Sequence, residues 1–370
     1  MTKTLETICS YRSEKASASL IRTEDLYIST ESISSNRGGV SRASVPGKGK
    51  VARFRDGDTL VSNIRPYFKK IWQADCDGYC SNDVLVFQPA EDCNPDYLYW
   101  LLCGDEFFEY VMATSKGTKM PRGDKAAIMS YAIPSNSGMT QQQIASIMNP
   151  FRSKIVTNAK LNGYLLELAM ARFESALKGE SKTVGFGDIA ALEDSKRVPL
   201  NSRDREARKG PYPYYGATSI MDYVDDYLFD GIRVLLGEDG TVIDSEGKPI
   251  LQYVWGKYWV NNHAHILASS GEYSLEAIYV ALRRTAINHI VTGAVQMKIS
   301  QRNLKSLELE MPSPKDLDYL QDLFAAYRGN QDENAKLAAL RDALLPKLIS
   351  GEIDVSKIDL TQLNSHLAAC

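Results

Sequence analysis

The chain has 370 residues and a mass of 41.2 kDa, which is long for one average domain and short for three, so two domains are expected. Hydrophobic residues make up 44% of the sequence and charged residues 24%, which excludes a globally disordered chain. The net charge of -3 disfavours a protein that binds nucleic acid indiscriminately, because such binding depends on positive charge.

Signals for export, membrane insertion and cysteine chemistry are all weak. The opening residues carry Glu6 with no apolar stretch behind it, and no segment approaches the roughly 18 unbroken apolar residues of a membrane span. The six cysteines contain no C-x-x-C pair, so neither a disulfide scaffold nor a structural zinc site is supported. The sequence therefore predicts a cytoplasmic protein with reduced, mostly buried thiols.

Charge alternates strongly along the chain. Residues 33–70 have a balance of +7, and residues 75–109 hold nine acids and no base. The second half repeats this pattern with +4 over 196–209 and -7 over 222–246. Each half therefore carries one basic segment, for which solvated loops without a ligand are an equally good interpretation if charge is the only evidence.

The two halves repeat the same order of predicted elements. An alternating strand pattern at 81–87 (SNDVLVF) corresponds to 261–267 (NNHAHIL), and an amphipathic helix is predicted at 94–112 and again at 273–291. A glycine-led strand or loop follows, at 115–134 in the first half and 292–312 in the second. A long helical segment then closes each half.

The closing helices are predicted at 140–178 and 315–350, each ending before a Gly-Glu pair that suits a helix C-cap. Their seams are apolar at the ends and polar at the centre, with steps of four and three residues. We predict that they pack antiparallel as a coiled coil; the alternative is that each packs on its own domain. The seam residues are Ile144, Met148, Phe151, Ile155, Asn158, Asn162, Leu165, Leu320, Phe324, Tyr327, Gln331, Asn334, Leu344 and Leu348.

The predicted fold is α+β, with two similar β-rich modules each followed by a long helix, related by a pseudo-twofold repeat. The modules are predicted at 1–138 and 181–312, the helices at 139–180 and 313–355, and a tail at 356–370. Rigid separation of two basic modules matches the way DNA-binding proteins fix the distance between half-sites.

Three blocks in this order resemble the specificity subunits of type I restriction-modification systems, over about residues 1–355. They are GDTLVSNIRPYFKKIWQADCDGYCSNDVLVFQP (57–89), SKGTKMPRGDK (115–125) and the stretch from PYYGATSIMDYVDDYLFDGIRVLLGEDGTVI to GKYWVNNHAHIL (213–267). The resemblance implies that each module is a target recognition domain for one half of a bipartite, asymmetric sequence in double-stranded DNA. It also implies helices that space the modules as conserved regions and dock the modification subunits.

The resemblance further implies partners that carry the chemistry. Two methyltransferase subunits would hold S-adenosylmethionine, and two motor-nuclease subunits would use ATP and magnesium, so no cofactor is expected on this chain. The motifs agree, since Asn149-Pro150-Phe151 lacks the second proline of an adenine methyltransferase loop and lies in a predicted helix. No phosphate-binding loop of the Gly-x4-Gly-Lys-Ser/Thr type occurs.

No metal site is predicted. His263 and His265 share one face of a strand but lack an evident third ligand. The acidic run that begins Glu238-Asp239-Gly240 lacks the spacing of a calcium loop, and a hairpin turn at Asp239-Gly240 is the better interpretation.

Candidate DNA contacts are basic, amide and aromatic residues that reach phosphates or base edges. The loop 115–125 has the alternative of a purely structural turn built on Gly117 and Pro121. The candidates are Arg37, Arg42, Lys48, Lys50, Lys69, Lys116, Lys119 and Arg122 in the first module, and Arg203, Arg205, Arg208, Lys209, Tyr214, Tyr215, Gln296, Lys298 and Arg302 in the second.

Two other functions stay open on this evidence. A stand-alone DNA-modifying enzyme with a divergent active site would turn over substrate as the isolated chain. A coiled-coil adaptor with protein-binding ends would associate without DNA affinity. The missing motifs disfavour the enzyme, and the charge pattern favours DNA over the adaptor.

Overall fold

The computed structural model describes residues 3–134, 139–293 and 296–353, as β-rich segments that alternate with helices. The predicted tail at 356–370, and residues 135–138 at the end of the first predicted module, lie outside this range. Within the described part of the chain, no helix combines the length and apolar character needed to cross a membrane.

The first half begins with eight strands and three helices before its long helix α4. The strands are β1 Cys9–Tyr11, β2 Lys15–Ser17, β3 Tyr27–Ile28, β4 Lys50–Phe54, β5 Thr59–Ser62, β6 Ile71–Gln73, β7 Gly78–Cys80 and β8 Val84–Pro89. The helices are α1 Pro95–Cys103, α2 Asp105–Ala113, α3 Lys125–Met129 and α4 Gln141–Leu177.

The second half repeats this order, with additional short elements. Its strands are β9 Ser181–Gly185, β10 Ala190–Leu192, β11 Lys209–Tyr215, β12 Ile220–Val224, β13 Phe229–Asp230, β14 Arg233–Gly237, β15 Leu251–Val254, β16 Lys257–Val260, β17 Ala264–Ser269 and β18 Glu308–Pro312. Its helices are α5 Phe186–Ile189, α6 Ser202–Ala207, α7 Leu275–Arg284, α8 Gln301–Lys305 and α9 Tyr319–Ser350.

Both halves build the same central sheet. The strand order is β1-β8-β5-β6 in the first half and β10-β17-β14-β15 in the second, with every pair antiparallel. The register also matches, since Leu60 pairs with Val86 where Leu235 pairs with Ile266. A second four-stranded sheet in each half contains one parallel pair, β3 with β7 and β11 with β16. The predicted repeat of two similar α+β modules is confirmed.

Two compact units divide the chain inside the long helices. One unit comprises residues 1–159 and 331–370, and the other comprises residues 160–330. We call them unit 1 and unit 2. The core of unit 1 joins Trp100 and Phe107 to Ile144 and Met148 of α4 and to Leu348 of α9. In unit 2, a second core joins helix α7 to both long helices, through Ala169, Phe173, Leu320 and Phe324.

The long helices are confirmed, with 37 residues in α4 and 32 in α9. Their ends differ from the prediction at one point, because residues 314–317 form a separate 3-10 turn before α9. Helix packing is antiparallel within each unit. In unit 1, Asn158 donates to Asn334 (3.0 Å), and in unit 2 Asn162 donates to the carbonyl oxygen of Tyr327 (3.1 Å).

The predicted seam residues are distributed between buried and half-buried positions, with one exception. Gln331 is exposed, and its neighbour Asn330 donates instead to Oδ1 of Asn162 (2.8 Å). The buried members are Ile144, Met148, Phe151, Asn158, Asn162, Leu320, Phe324 and Leu348, and the half-buried members are Ile155, Leu165, Tyr327, Asn334 and Leu344.

Three local predictions are wrong. The helix predicted at 94–112 is two helices, because Gly104 adopts extended backbone between them. The helix predicted at 273–291 ends at Arg284, where the β-branched Thr285 is extended. Asp239-Gly240 does not form a tight hairpin, since β14 and β15 are joined by residues 238–250 and Gly240 donates to the carbonyl oxygen of Met297 (3.0 Å).

Candidate nucleic-acid interface

Many of the predicted DNA-contacting cations are engaged by the acidic segments of their own half. Arg205 and Lys209 both pair with Asp222 (3.3 and 2.7 Å), and Arg208 pairs with Asp225 (2.9 Å). This pairing follows from the β11-β12 hairpin, which lays the basic 196–209 segment against the acidic segment that starts at 222. The alternating charge of the sequence is therefore partly neutralised by folding.

Two predicted contacts are buried and unavailable to DNA in this structure. The side chain of Arg37 is 4% exposed, and its guanidinium donates to the carbonyl oxygen of Cys103 (2.7 Å) and to Asp105. Tyr214 is 1% exposed because it lies in the parallel strand pair of unit 2, where its hydroxyl accepts from the N–H of Leu200 (2.9 Å). A lone sequence does not show which polar residues the core recruits, so the burial of these two side chains could not be predicted.

The other candidates remain at or near the surface. Arg42 is exposed but donates to the backbone of Thr23 and Glu24, and Lys69 pairs with Asp105 (2.8 Å). Half-buried candidates are Lys69, Arg205, Arg208 and Tyr215; exposed ones are Arg42, Lys48, Lys50, Lys116, Lys119, Arg122, Arg203, Lys209, Gln296, Lys298 and Arg302.

Three of the exposed candidates lie on one backbone-closed loop of unit 1. Lys116 and Arg122 exchange both of their backbone hydrogen bonds (2.9 Å each), which closes the chain over residues 117–121. We call residues 116–122 the first closed loop. Gly117 turns the chain with φ of +89°, a conformation that residues with a side chain rarely adopt.

Unit 2 contains the same device. Thr292 and Lys298 exchange both backbone hydrogen bonds (2.8 and 2.7 Å), and Gly293 has φ of +88° at the position of Gly117. We call residues 292–298 the second closed loop; residues 294–295 within it are outside the described range. The two loops lie in segments that the internal repeat of the sequence places at corresponding positions. Each loop is closed by the same two backbone hydrogen bonds.

Each closed loop is held by the segment that follows the central strand. In unit 1, Arg65 donates its N–H to the carbonyl oxygen of Pro121 (2.9 Å). In unit 2, the equivalent bond runs from the N–H of Gly240 to the carbonyl oxygen of Met297 (3.0 Å). Arg65 and Gly240 are both left-handed, with φ of +51° and +83°. Strained backbone of this kind in a non-glycine residue is concentrated at functional sites.

Exposed apolar residues accompany the first closed loop. Tyr67 and Phe68, two and three residues after Arg65, are 47% and 37% exposed, and Met120 on the loop is 48% exposed. Neither these residues nor Arg65 were among the predicted DNA contacts, although Arg65 lies in the basic segment 33–70. The shared spacing of Gly117 and Gly293 relative to the repeated strands was the signal that could have found them.

Ion pairs fix the sides of the first closed loop. Lys116 pairs with Asp124 (2.5 Å), and Arg122 pairs with Asp83 (3.0 Å). The hydrogen bond from Lys116, with the N–H groups of Ala127 and Ala126, holds the pKa of Asp124 below its usual range. Asp124 therefore caps α3 as a carboxylate, and the loop's outward charge comes from Lys119.

One cluster in unit 2 has the residue types of a metal site. Ligand atoms of Asp194, Glu238 and His265 lie within 4.8 Å of one another, the one such group found among the described residues. Both ring nitrogens of His265 already have acceptors, the Asp194 carboxylate (2.6 Å) and the carbonyl oxygen of Ile299 (2.8 Å). Glu238 pairs with Arg197 (2.7 Å). These contacts make the cluster an ion-pair network that holds Ile299, directly after the second closed loop, and they already engage the atoms that a metal ion would need.

The nearest approach to a methyltransferase motif is engaged in packing. Asn149, inside α4, accepts from the indole N–H of Trp100 (2.8 Å) and donates to Asp96 (2.7 Å). Residues 149–151 lie within α4, which confirms their interpretation as helix. A helical asparagine with these hydrogen bonds cannot hold a flipped base.

Comparison with known proteins identifies relatives of one kind. A putative type I restriction enzyme specificity subunit, S.HindORF215P of Haemophilus influenzae, is 30% identical over 140 residues, covering 38% of this chain and 35% of that protein. The type I restriction enzyme MjaIX specificity subunit of Methanocaldococcus jannaschii is 24% identical over 310 residues, covering 73% of this chain and 72% of that protein. The aligned part thus spans about a third of the first relative and about seven tenths of the second.

A solved structure shares the fold. The type I restriction-modification system S subunit from M. genitalium aligns over 94% of this chain and 95% of its own, with a TM-score of 0.56 and 18% sequence identity. The model of the type I restriction modification DNA specificity domain matches twice, at residues 6–165 and 178–339. Since these two matches include each repeated sheet, closed loop and most of each long helix, the chain belongs to the type I restriction modification DNA specificity family.

Proposed function

We propose that this chain is the DNA specificity subunit of a type I restriction-modification enzyme and reads a bipartite, asymmetric DNA target, one half with each repeated unit. The observation that carries the proposal is the pair of closed loops. Their closures and glycines match, whereas the sequences inside the closures differ: Thr118-Lys119-Met120 in the first loop and Ala294-Val295-Gln296 in the second, of which Gln296 is described and exposed. The same scaffold with different side chains suits the reading of two different base sequences.

The target recognition domains would be residues 1–138 and 181–312, with spacers at 139–180 and 313–355. Other exposed cations of each unit would contact phosphates, which position the protein without reading sequence. Lys48 and Lys50 in unit 1 and Arg203 and Arg302 in unit 2 are suited to this role because they are exposed.

The long helices would dock the modification subunits. In unit 2, α4 exposes Leu161, Tyr164 and Leu168 to 45%, 64% and 45%, at the i, i+3, i+7 spacing of one helix face. Exposed apolar surface on a helix supports a protein partner. Two methyltransferase subunits would bring S-adenosylmethionine, and two motor-nuclease subunits ATP and magnesium, in the cytoplasm. This chain would itself catalyse nothing.

The test is reconstitution with the modification subunit. Purified chain, modification subunit and their mixture are each incubated with genomic DNA and S-adenosylmethionine, and methylated adenines are mapped. We expect methylation by the mixture alone, at one split asymmetric sequence. Methylation by the chain alone would establish a stand-alone enzyme. Absence of methylation by the mixture would contradict the proposal, provided that the same modification subunit is active with another specificity subunit.

Salt dependence separates DNA binding from the adaptor function. The affinity of the chain with its modification subunit for duplex DNA is measured over a range of salt concentrations. We expect a steep negative slope of log affinity against log salt, because each phosphate contact releases counterions. A flat slope would favour the adaptor.

A further inference from the structure

We infer that Thr118, Lys119 and Met120, the outward residues of the first closed loop, determine the base sequence of the half-site that unit 1 reads. This inference rests on the proposed function and names the specificity element within it. Of these three residues, Lys119 is a DNA contact predicted from the sequence, and Thr118 and Met120 are added because they share its closed loop.

The base of the loop is rigidly attached to unit 1. Pro121 and Gly123 are buried on one side of the closure. A side chain at Gly123 would bring its Cβ to 2.8 Å from Oδ1 of Asn63 and 2.8 Å from Cδ1 of Ile128, so these side chains would have to shift to accommodate a larger residue. Asn63 also accepts at its carbonyl oxygen from the N–H of Gly123 (3.4 Å). The loop is therefore anchored to the central sheet through its base alone.

The outward residues have no such attachment. Thr118 and Lys119 are exposed, and Met120 is 48% exposed although methionine is an apolar residue. The two other bases of the loop, Lys116 and Arg122, are held by Asp124 and Asp83. Folding thus uses the sides of the loop and leaves its end available to a ligand.

The chemistry of the three side chains fits base edges. An amine such as that of Lys119 can donate to O6 and N7 of guanine in the major groove, and a threonine hydroxyl can donate or accept. The thioether side chain of Met120 offers apolar contact, as the methyl group of thymine does. A narrow, backbone-closed ribbon is also a shape that the major groove, about 12 Å wide, admits.

The second closed loop supplies an internal comparison. Its closure bonds, its glycine at φ of +88° and its bond from the preceding strand segment repeat those of the first loop. The two loops therefore share one closure but carry different exposed side chains, Met120 in unit 1 and Gln296 in unit 2. A purely structural turn would give no reason for an exposed methionine at this position.

The experiment grafts the end of one loop onto the other. The triple variant Thr118→Ala, Lys119→Val, Met120→Gln places the residues of the second loop on the first and leaves Gly117 and Pro121 intact. The variant chain is assembled with the modification subunit, and methylated sites are selected from a duplex library with both half-sites randomised. The wild-type complex is run in parallel and defines the parental half-sites.

We expect one half-site to change, with about a tenfold or greater loss of preference for its parental sequence, and the other half-site and the gap to stay the same. The control is Lys15→Val, which makes the same residue change at an exposed position of β2. It should alter neither half-site, because Lys15 lies outside both closed loops.

Retention of both parental half-sites by the triple variant would overturn the inference, as would equal loss at both. Thermal unfolding of the variant chain distinguishes a collapsed unit from a changed specificity, and a variant that unfolds like the wild type yet methylates nothing in the library also counts against it. Failure of the proposed function is seen separately, as the absence of methylation by the wild-type complex.

Discussion

Arg12 and Asp58 form a buried ion pair in unit 1 that unit 2 repeats with its charges exchanged. The Nε of Arg12 lies 2.5 Å from Asp58, and in unit 2 the Nε of Arg233 lies 2.6 Å from Glu193. The sheet registers make Arg12 the counterpart of Glu193 and Asp58 that of Arg233. The cation and the anion thus occupy opposite positions in the two units. The fold therefore requires the interaction between the two side chains, and not a particular residue at either position.

Removing one partner should therefore be costly. Asp58→Ala leaves the guanidinium of Arg12, whose side chain is 8% exposed, without its main partner. We expect the free energy of unfolding to fall by about 3–5 kcal/mol in urea titration. Glu14→Ala is the control, since Glu14 also pairs with Arg12 but is 40% exposed, and its removal should cost much less than that of Asp58. Equal effects of the two substitutions would contradict this account.

Stability should also depend on acidic pH. Burial raises the pKa of Asp194, but hydrogen bonds from His265 and the N–H of Ile266 outweigh it and hold the pKa below its usual range. Such a carboxylate stabilises the fold above the ordinary aspartate pKa of about 3.9, and this contribution is lost as the pH falls through the lower, folded-state value.

We expect the urea midpoint to drop steeply below about pH 4. Asp194→Asn should make the chain less stable at pH 7 and reduce the pH dependence below pH 4. A midpoint of the wild type that stays constant down to pH 3 would show that this carboxylate does not stabilise the fold through its charge.

At the scale of elements, the closed loops depend on glycine to different degrees. A Cβ on Gly117 would lie 3.3 Å from the carbonyl oxygen of Met120, whereas one on Gly293 would lie 2.2 Å from that of Gln296. Both positions have positive φ, so alanine is strained at each, and at Gly293 it also forces the backbone apart.

Alanine should therefore open the second loop more than the first. We expect Gly293→Ala to speed amide hydrogen exchange at Thr292 and Lys298 by more than Gly117→Ala speeds it at Lys116 and Arg122, with each substitution costing about 1–3 kcal/mol locally. If exchange at the closure amides is unaffected in both variants, these bonds do not hold the loops closed in solution.

Some elements of the fold were predictable from the sequence, and others were not. Repeated strands and long helices were predictable, because their periodicity is local and occurs twice. The split at Gly104 was not, since a single glycine inside a helical pattern is often tolerated. The burial of Arg37 and Tyr214 was not predictable for a related reason, because partners such as Cys103 and Leu200 are distant in sequence or contribute backbone atoms only.

At the scale of the whole molecule, α4 and α9 each contribute to both units. Under the proposed function, they set the gap between the two half-sites. Adding one helical turn of four alanines after Ala159, together with four after Asn330, should change the gap and leave both half-site sequences intact, because neither closed loop is altered. Methylation mapping of the reconstituted complex measures both quantities.

The matched control inserts four alanines after Glu352, beyond α9, and should leave the gap unchanged. A change of half-site sequence in the double-insertion variant would show that the helices do more than space the units. An unchanged gap, with methylation retained, would show that the spacing is set elsewhere.

The division of the chain also determines the order in which it can fold during synthesis. Unit 2 is one continuous stretch, whereas the core of unit 1 requires Leu345 and Leu348, which are synthesised only after all of unit 2. At 5–20 residues per second, roughly ten to forty seconds separate the synthesis of Ile144 from that of these partners. The N-terminal unit, the first to leave the ribosome, is therefore the last to be completed, and its apolar helix face is exposed to proteases and chaperones in the interval.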